Sequence, residues 1–559
     1  MPEPVPTAAL ASNDGNIARH LVAMARARPY APAIYFADGK DRRGRTRYVH
    51  LTYRELDGAS DRIARGLLAI GVPRGARVAL MVRPSLELFS LAFGLFKAGA
   101  VPVMIDPGIG VAQMGRCLAG AAPEVFAGVP EAHLARLALG WARESVRVAI
   151  TVGSGIGPRA WGGHTLDAIE REGDRDRSSL PATRADEIAA ILFTSGSTGP
   201  PKGAVYTHAT FGAQVDSIRK MYDIRPGEID LPTFPLFALF DPALGMTTVL
   251  PEMDPTRPAK ANPKKILDAI DAFGVTNMFG SPALLDALSR WASGMGVRIG
   301  PLRRVISAGA PVSATILARM RSILSESADV VTPYGATECL PVASIESREV
   351  LGETAALSAR GAGTCVGRPV PEAEVRIVAI TDEPIGSMEV ASVLAQGQIG
   401  EIVVRGPMAT RSYHDAPAQT ALAKIEDGNS FWHRMGDLGY LDAQGRLWMC
   451  GRKSERVRLR GRTLFTVPCE GIFDAHPSVR RSALVGLPRE NGDEPVLTVE
   501  LEAGASDGPE LQSDLRTLAD SHEETRPITR FLVHPGFPVD VRHNAKIKRE
   551  LLRAWAQKQ

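Results

Sequence analysis

Cysteine is scarce and scattered in this chain. Cys117, Cys339, Cys365, Cys450 and Cys469 are five in 559 residues, and no two of them stand in a C-x-x-C spacing. An odd, dispersed set argues against a disulfide framework and a zinc site and suits a reducing compartment, so a cytoplasmic protein is expected. Long apolar runs are missing too. The segment 85–104 carries Glu87 and Lys97, and 231–251 is interrupted by Pro232, Pro235, Asp241 and Pro242. Neither offers the roughly 20 uninterrupted apolar residues of a membrane span, and both read better as buried helix and pocket wall. Nor is one sign of charge in excess: 65 basic residues face 62 acidic ones, which gives no electrostatic reason to invoke nucleic acid. The first 14 residues are polar and rich in proline and alanine, with no basic stretch leading into an apolar core, so no secretory signal is expected. Internal repeats and low-complexity tracts are absent.

What is present is a large apolar fraction, 45%, ample for a sizeable core and more than one domain. The pattern predicts a helix over 53–70, a strand over 77–82, a helix over 86–98 and a strand over 101–105. The unit recurs with helices over 263–273, 281–292 and 312–324, followed by strands over 277–279, 304–306 and 329–331. Strands alternating with helices predict an α/β fold with parallel sheets covered on both faces. From 366 to 451 the texture changes to short strands and glycine-rich turns, which reads as a β-rich subdomain. After 453 comes an α+β tail of ordinary domain size. The expected organisation is therefore a large N-terminal domain, 1–453, of layered α/β subdomains plus the β-rich one, and a small α+β C-terminal domain, 454–559.

The most informative stretch is Thr194-Ser195-Gly196-Ser197-Thr198-Gly199-Pro200-Pro201-Lys202-Gly203. Glycines let backbone approach a ligand closely, and exposed N–H groups with hydroxyls make a cradle for phosphate oxygens. It is not a Walker A loop: no Gly-Lys-Ser/Thr occurs, and the two prolines delete amide donors where that loop needs them. Apolar runs at 188–193 and 204–207 flank it, so the loop joins two strands and opens no helix. A strand-loop-strand phosphate loop of this composition resembles the signature of the adenylate-forming superfamily, which includes acyl-CoA synthetases, luciferases and peptide-synthetase adenylation domains.

Further segments match that superfamily's parts in order. The resemblance implies that Thr194, Ser195, Gly196, Ser197, Thr198 and Gly199 cradle the ATP phosphates, with Lys202 supplying charge to the departing pyrophosphate. In Tyr334-Gly335-Ala336-Thr337-Glu338, placed directly after a predicted strand, it implies that Tyr334 and Gly335 meet adenine, Thr337 the α-phosphate and Glu338 a Mg²⁺ ion. One carboxylate is enough there, because Mg²⁺ completes its shell with phosphates and waters. Ser307-Ala308-Gly309-Ala310-Pro311 looks like the adenine-facing loop, through Gly309, Ala310 and Pro311. Trp432-His433-Arg434-Met435-Gly436-Asp437 resembles the R-T-G-D element, whose aspartate accepts both ribose hydroxyls; an ionised carboxylate suits a vicinal diol. Arg452 is placed at the same ribose. In Asp540-Val541-Arg542-His543-Asn544-Ala545-Lys546, Lys546 takes the position of the lysine that bridges carboxylate and α-phosphate, although the usual Gly-Lys is Ala-Lys here. The resemblance also implies that 454–559 is a small mobile lid with Ser454 at the hinge position, where a small polar residue is compatible with large dihedral change. Beyond it Arg456, Arg458, Arg460 and Arg462 alternate with other residues, and on a strand they share one face.

The acid is suggested by Pro235-Leu236-Phe237-Ala238-Leu239-Phe240. Ala238 stands where fatty acyl-CoA ligases commonly carry histidine, which widens the channel, and Phe234, Phe237, Phe240 and Phe279 supply the apolar wall that ligand pockets favour. With the Phe279-Gly280-Ser281-Pro282 run and the Arg-His-Asn-Ala-Lys tail, the whole chain resembles the β-lactone synthetases of bacterial long-chain olefin biosynthesis. That implies a long-chain 2-alkyl-3-hydroxy acid substrate, ATP and Mg²⁺, and ring closure by the substrate's own β-hydroxyl, with His208 or an AMP phosphate oxygen taking its proton. It also implies assembly with a hydrolase-fold decarboxylase and a ketone reductase. A long-chain acyl-CoA ligase and a catalytically inactive AMP-binding scaffold are the alternatives.

Overall fold

The computed structural model describes residues 15–154, 160–176, 178–194, 201–539 and 547–559. Ser195, Gly196, Ser197, Thr198, Gly199 and Lys546 lie outside the described residues. By contact the chain divides into two units. One holds the residues up to Thr256 with Asn262–Phe279 and Pro407–Thr420, and the other holds Arg257–Ala261, Gly280–Gly406 and Ala421–Gln559.

In the first unit the helices begin and end where local chemistry says they should. Helix Tyr53–Ala69 starts at a capping box, with Thr52 and Glu55 satisfying each other's backbone N–H groups. Helix Leu86–Ala98 is capped by the Ser85 hydroxyl and stopped by Gly99 at φ +69°, a left-handed position that favours glycine. These helices accompany a seven-stranded sheet ordered His164–Thr165, Val148–Thr151, Val125–Gly128, Arg77–Met81, Val101–Ile105, Ile188–Thr194, Lys202–Thr207. All neighbours are parallel except the last pair, an antiparallel hairpin whose register sets Phe193 opposite Gly203 and Thr194 opposite Lys202. The phosphate-loop sequence therefore joins two paired strands, as expected. Helix Val111–Ala121 covers the sheet, packing Met114, Cys117, Leu118 and Ala121 on Ala79, Val103, Phe126 and Ile191. A second sheet in this unit sets Asn277–Phe279, Ile229–Pro232, Thr247–Leu250 and Pro32–Lys40 in parallel, with Thr46–Thr52 antiparallel at the edge.

The second unit opens with strand Arg304–Ile306 parallel to Asp329–Ala336, and continues antiparallel through Cys339–Glu346, Thr364–Pro369, Leu447–Arg452, Ser430–Leu441, Gly400–Arg405 and Glu374–Val378. The 329–331 strand is longer than predicted. It runs through the Tyr334 motif, because the antiparallel partner Cys339–Glu346 continues the ladder to Ala336. Towards the C-terminus a three-stranded sheet, Val479–Arg489, Gly492–Leu501 and Arg530–Val533, is sandwiched. Helices Thr466–Phe473 and Pro509–Ser521 bury Cys469, Phe473, Leu511 and Leu515 on it, and Arg549–Ala556 buries Leu552 and Ala556 against a second cluster. The row of arginines does not form one strand face. Strands Val457–Leu459 and Arg462–Leu464 are a tight hairpin that reverses at Arg460 and Gly461, the latter at φ +75°. A glycine that readily adopts this conformation ends the strand before the alternation can extend.

Candidate functional site

Three groups of the sequence-predicted residues are brought together. The first lies in the second unit, at the tip of the hairpin Asp329–Ala336/Cys339–Glu346. Ala336 pairs with Cys339, so Thr337 and Glu338 form a two-residue turn at the tip. Before it the strand bulges at Gly335, where a Cβ would stand 2.8 Å from the Cys339 carbonyl oxygen and from the Leu340 side chain. The bulge aims Tyr334, and its hydroxyl donates to Asp437 Oδ2 at 2.7 Å. Asp437 follows Gly436, whose φ of +67° accompanies a register shift in strand Ser430–Leu441. Asp437 stands directly opposite Arg452 in the neighbouring strand, and Arg452 Nη1 lies 3.0 Å from Asp437 Oδ1. Burial and the Asp437 charge both push the Tyr334 hydroxyl well above its ordinary pKa, so it stays a donor. The same carboxylate raises Arg452, and the three groups form a carboxylate braced from both sides. The loop at 307–311 starts with a buried Ser307, whose N–H donates to the Val331 carbonyl, and turns at Gly309, φ +90°.

A second group, in the first unit, surrounds Lys202. The segment 412–414 runs alongside strand Lys202–Thr207, with Val205 N–H donating to Ser412 O and His414 N–H to Gly203 O. That sets the Tyr413 ring under the lysine, 5.2 Å from Nζ to centroid, a cation–π contact that holds the ammonium without neutralising it.

The third group is the apolar wall, also in the first unit. Phe237 contacts both Phe234 and Phe279, with centroids 5.4 Å apart for Phe234–Phe237 and 4.4 Å for Phe237–Phe279. Phe240 turns elsewhere, onto Phe211, which stacks on Tyr206. Ala238 is wholly buried. Directly after Phe240, the buried Asp241 accepts from the Thr248 hydroxyl at 2.8 Å, and Asp230 is the strand neighbour of Thr248. Burial first, and then the Asp230 charge, hold the Asp241 carboxyl well above the usual range.

Sequence reasoning did not anticipate two buried networks in the second unit. Lys424 faces His433 across the hairpin of strands Lys424–Asp427 and Ser430–Leu441, with Nζ 3.0 Å from Nδ1. Burial holds this lysine down to about 8, against the opposing pull of Cys339 and Glu338. A short hairpin around Gly428 was the available signal. Glu401 sits between Arg434, at 2.6 Å, and Lys453, at 3.0 Å; nothing in the linear spacing pairs these residues. Among the described residues no group of three or more His, Cys, Asp or Glu could hold a metal ion. A lone Glu338 fits an ion that takes most of its ligands from phosphate and water.

The AMP-binding enzyme family model matches residues 22–414. The chain belongs to the AMP-binding enzyme family. This AMP-binding enzyme is 50% identical over 97% of its length, and 98% of the relative's, to an olefin beta-lactone synthetase of Xanthomonas campestris. It is 51% identical, with 97% and 98% covered, to the protein of the same name from Stenotrophomonas maltophilia. Its fold is similar to the amide bond synthetase McbA of Marinactinospora thermotolerans, with a TM-score of 0.76 at 24% identity over 98% and 99% of the two chains; that likeness speaks for the fold alone. The AMP-binding enzyme is an ATP-dependent, adenylate-forming enzyme, and none of its described helices is long and apolar enough to cross a membrane.

Proposed function

We propose that the chain converts a long-chain 2-alkyl-3-hydroxy fatty acid to a β-lactone through its acyl-adenylate. The observation that carries this reading is the 50% identity, over nearly the whole chain, to olefin beta-lactone synthetases. A carboxylate oxygen bonds the α-phosphorus of ATP while the bond to the β-phosphate oxygen breaks and pyrophosphate leaves. The substrate's β-hydroxyl oxygen then bonds the carbonyl carbon, the acyl–phosphate bond breaks, and AMP departs as the ring closes. A tethered hydroxyl enjoys a large effective concentration, which helps offset ring strain.

In this reading Asp437 and Arg452 take the ribose. Tyr334, with its hydroxyl already committed to Asp437, offers its ring face to adenine beside Gly335, Gly309, Ala310 and Pro311. The run from Thr194 to Gly199 and Lys202 hold the β- and γ-phosphates, and Thr337 the α-phosphate. Glu338 would hold Mg²⁺, which supplies charge neutralisation at the phosphates when bound. Lys546 bridges carboxylate and α-phosphate from a C-terminal lid, 454–559, that turns about Ser454. Phe234, Phe237 and Phe279 line the acyl chain and keep water from the adenylate. The hydroxyl proton passes to an AMP phosphate oxygen. His208 is the poorer base, because its Nδ1 accepts the Ile17 N–H at 3.1 Å and its ring packs edge-on to Phe96. The arginine row gives a coenzyme A ligase less support than its spacing suggests: Arg456 is tied to Asp382 at 2.6 Å, and the hairpin register sets Arg458 and Arg462 on opposite faces. We place the enzyme in the cytoplasm, in an assembly with a hydrolase-fold decarboxylase and a ketone reductase.

Incubation of a 2-alkyl-3-hydroxy acid with ATP and Mg²⁺, without any thiol, tests the proposal. One AMP and one pyrophosphate per neutral product, lighter than the acid by one water, is the expected outcome. Turnover that waits for coenzyme A overturns it.

A further inference from the structure

The short 3-10 turn Lys453–Glu455 carries two opposite charges around an exposed Ser454, and they are anchored in different directions. Lys453 Nζ reaches back into the β-rich region, 3.0 Å from Glu401 Oε1 and 3.0 Å from the Thr381 carbonyl oxygen. Glu401 is itself bound by Arg434, and both side chains are 1% exposed. Arg434 lies in the strand that carries Asp437, so Lys453 is fastened to the framework of the carboxylate described above. Glu455 reaches the other way. Its Oε2 accepts from Arg549 Nε at 2.9 Å, while the two terminal nitrogens of Arg549 donate to Glu470 Oε1 and Oε2 at 2.5 and 2.8 Å. Arg549 Nη1 also donates to the Leu484 carbonyl, and Glu470 accepts the Leu484 N–H at 2.7 Å. Glu455 is thereby fastened to the three-stranded sheet and the last helix.

The ion pairs that cross the turn end on Asp382, whose side chain is 56% exposed: Arg456 Nη2 lies 2.6 Å and Arg458 Nη1 3.8 Å from it. Solvent screens such a pair, and breaking it costs little. Breaking either buried network would strand a charge away from water, which costs far more. Ser454, exposed between them, is the residue of the turn that neither network engages.

We propose that Lys453 and Glu455 are positioning residues that confine the turning of the C-terminal segment to Ser454, each holding its neighbour rigidly to one of the two bodies. The inference rests on the reading of Ser454 as the pivot of a lid, and deepens it. The Glu455–Arg549–Glu470 bridge makes the last helix follow the pivot without slack. Loosening it leaves substrate binding intact and lets the last helix settle in many positions, which lowers the rate of the step that lid closure completes.

The experiment compares Glu455→Ala, Glu455→Gln and Glu455→Asp with Ser454→Pro in the full-length enzyme. It measures ATP–pyrophosphate exchange, lactone formation and thermal unfolding. Glu455→Ala is expected to lower kcat for exchange about tenfold or more, with KM for ATP within about twofold, Glu455→Gln to fall between, and Glu455→Asp to recover part of the rate. A bridge that is structural only would lower the unfolding temperature and leave kcat of the folded enzyme unchanged. That result overturns the inference, as does a KM increase equal to the rate loss. Ser454→Pro tests the pivot separately. If it unfolds at the wild-type temperature and turns over normally, the lid reading fails. If it blocks turnover while Glu455→Ala stays within about twofold of wild type in kcat, the lid stands and the positioning role fails.

Discussion

The carboxylate of Asp437 offers a sharp test, because its two neighbours are fixed and its proposed partner, a vicinal diol, can be edited chemically. In the structure Oδ2 accepts the Tyr334 hydroxyl at 2.7 Å and Oδ1 faces Arg452 at 3.0 Å. Asp437→Asn keeps the shape and one acceptor oxygen but removes the charge. A hydrogen bond to an ionised group contributes about 1.5–3 kcal/mol, so losing its charge-assisted character towards two ribose hydroxyls should cost about 2–3 kcal/mol. At 1.4 kcal/mol per decade this weakens ATP binding about 30- to 150-fold. Titration calorimetry without the acid substrate reads this directly, and the control is 2′,3′-dideoxy-ATP. Wild type should lose a comparable factor on the dideoxy nucleotide. Asp437→Asn, having already lost the interaction, should lose little more. Two penalties that simply multiply would mean that Asp437 and the ribose hydroxyls act independently, and the ribose assignment would be refuted.

Other expectations follow from burial. All five cysteines are free and buried, and burial pushes Cys117 and Cys365 up to about 11 and Cys339 and Cys469 to about 12. Iodoacetamide at neutral pH should therefore leave the native mass unchanged and add five groups in denaturant. Asp241 keeps its proton in the folded state above its ordinary 3.8, so the native state binds more protons than the unfolded one and its stability falls as pH rises. Asp241→Asn should gain stability relative to wild type on going from about pH 5 to about pH 8; a difference independent of pH would contradict this. Glu401→Gln strands Arg434, which is 1% exposed. Loss of a buried partner costs about 3–5 kcal/mol. Because Arg434 also donates to the Thr381, Glu383 and Leu422 carbonyls, denaturant unfolding should show a loss near the lower end of that range.

Much of the architecture was legible from neighbours in sequence. The helix predicted over 86–98 is observed as Leu86–Ala98, because Ser85 caps one end and Gly99 closes the other. The strands at 101–105, 277–279 and 304–306 also appear at their predicted bounds. Such features depend on apolar period, capping side chains and turn glycines, all of which act within a few residues. The arginine alternation was misleading for a local reason as well, since one glycine at φ +75° outweighed the periodicity around it.

The loop composition and motif order were by themselves enough to recognise an adenylate-forming chain. Tertiary structure alone decided which side chains meet. Tyr334 and Asp437 are separated by 103 residues, and Arg434 and Glu401 by 33. Their contacts depend on strand register and on bulges at Gly335 and Gly436, where a shift of one residue would turn each side chain to the opposite face of its sheet.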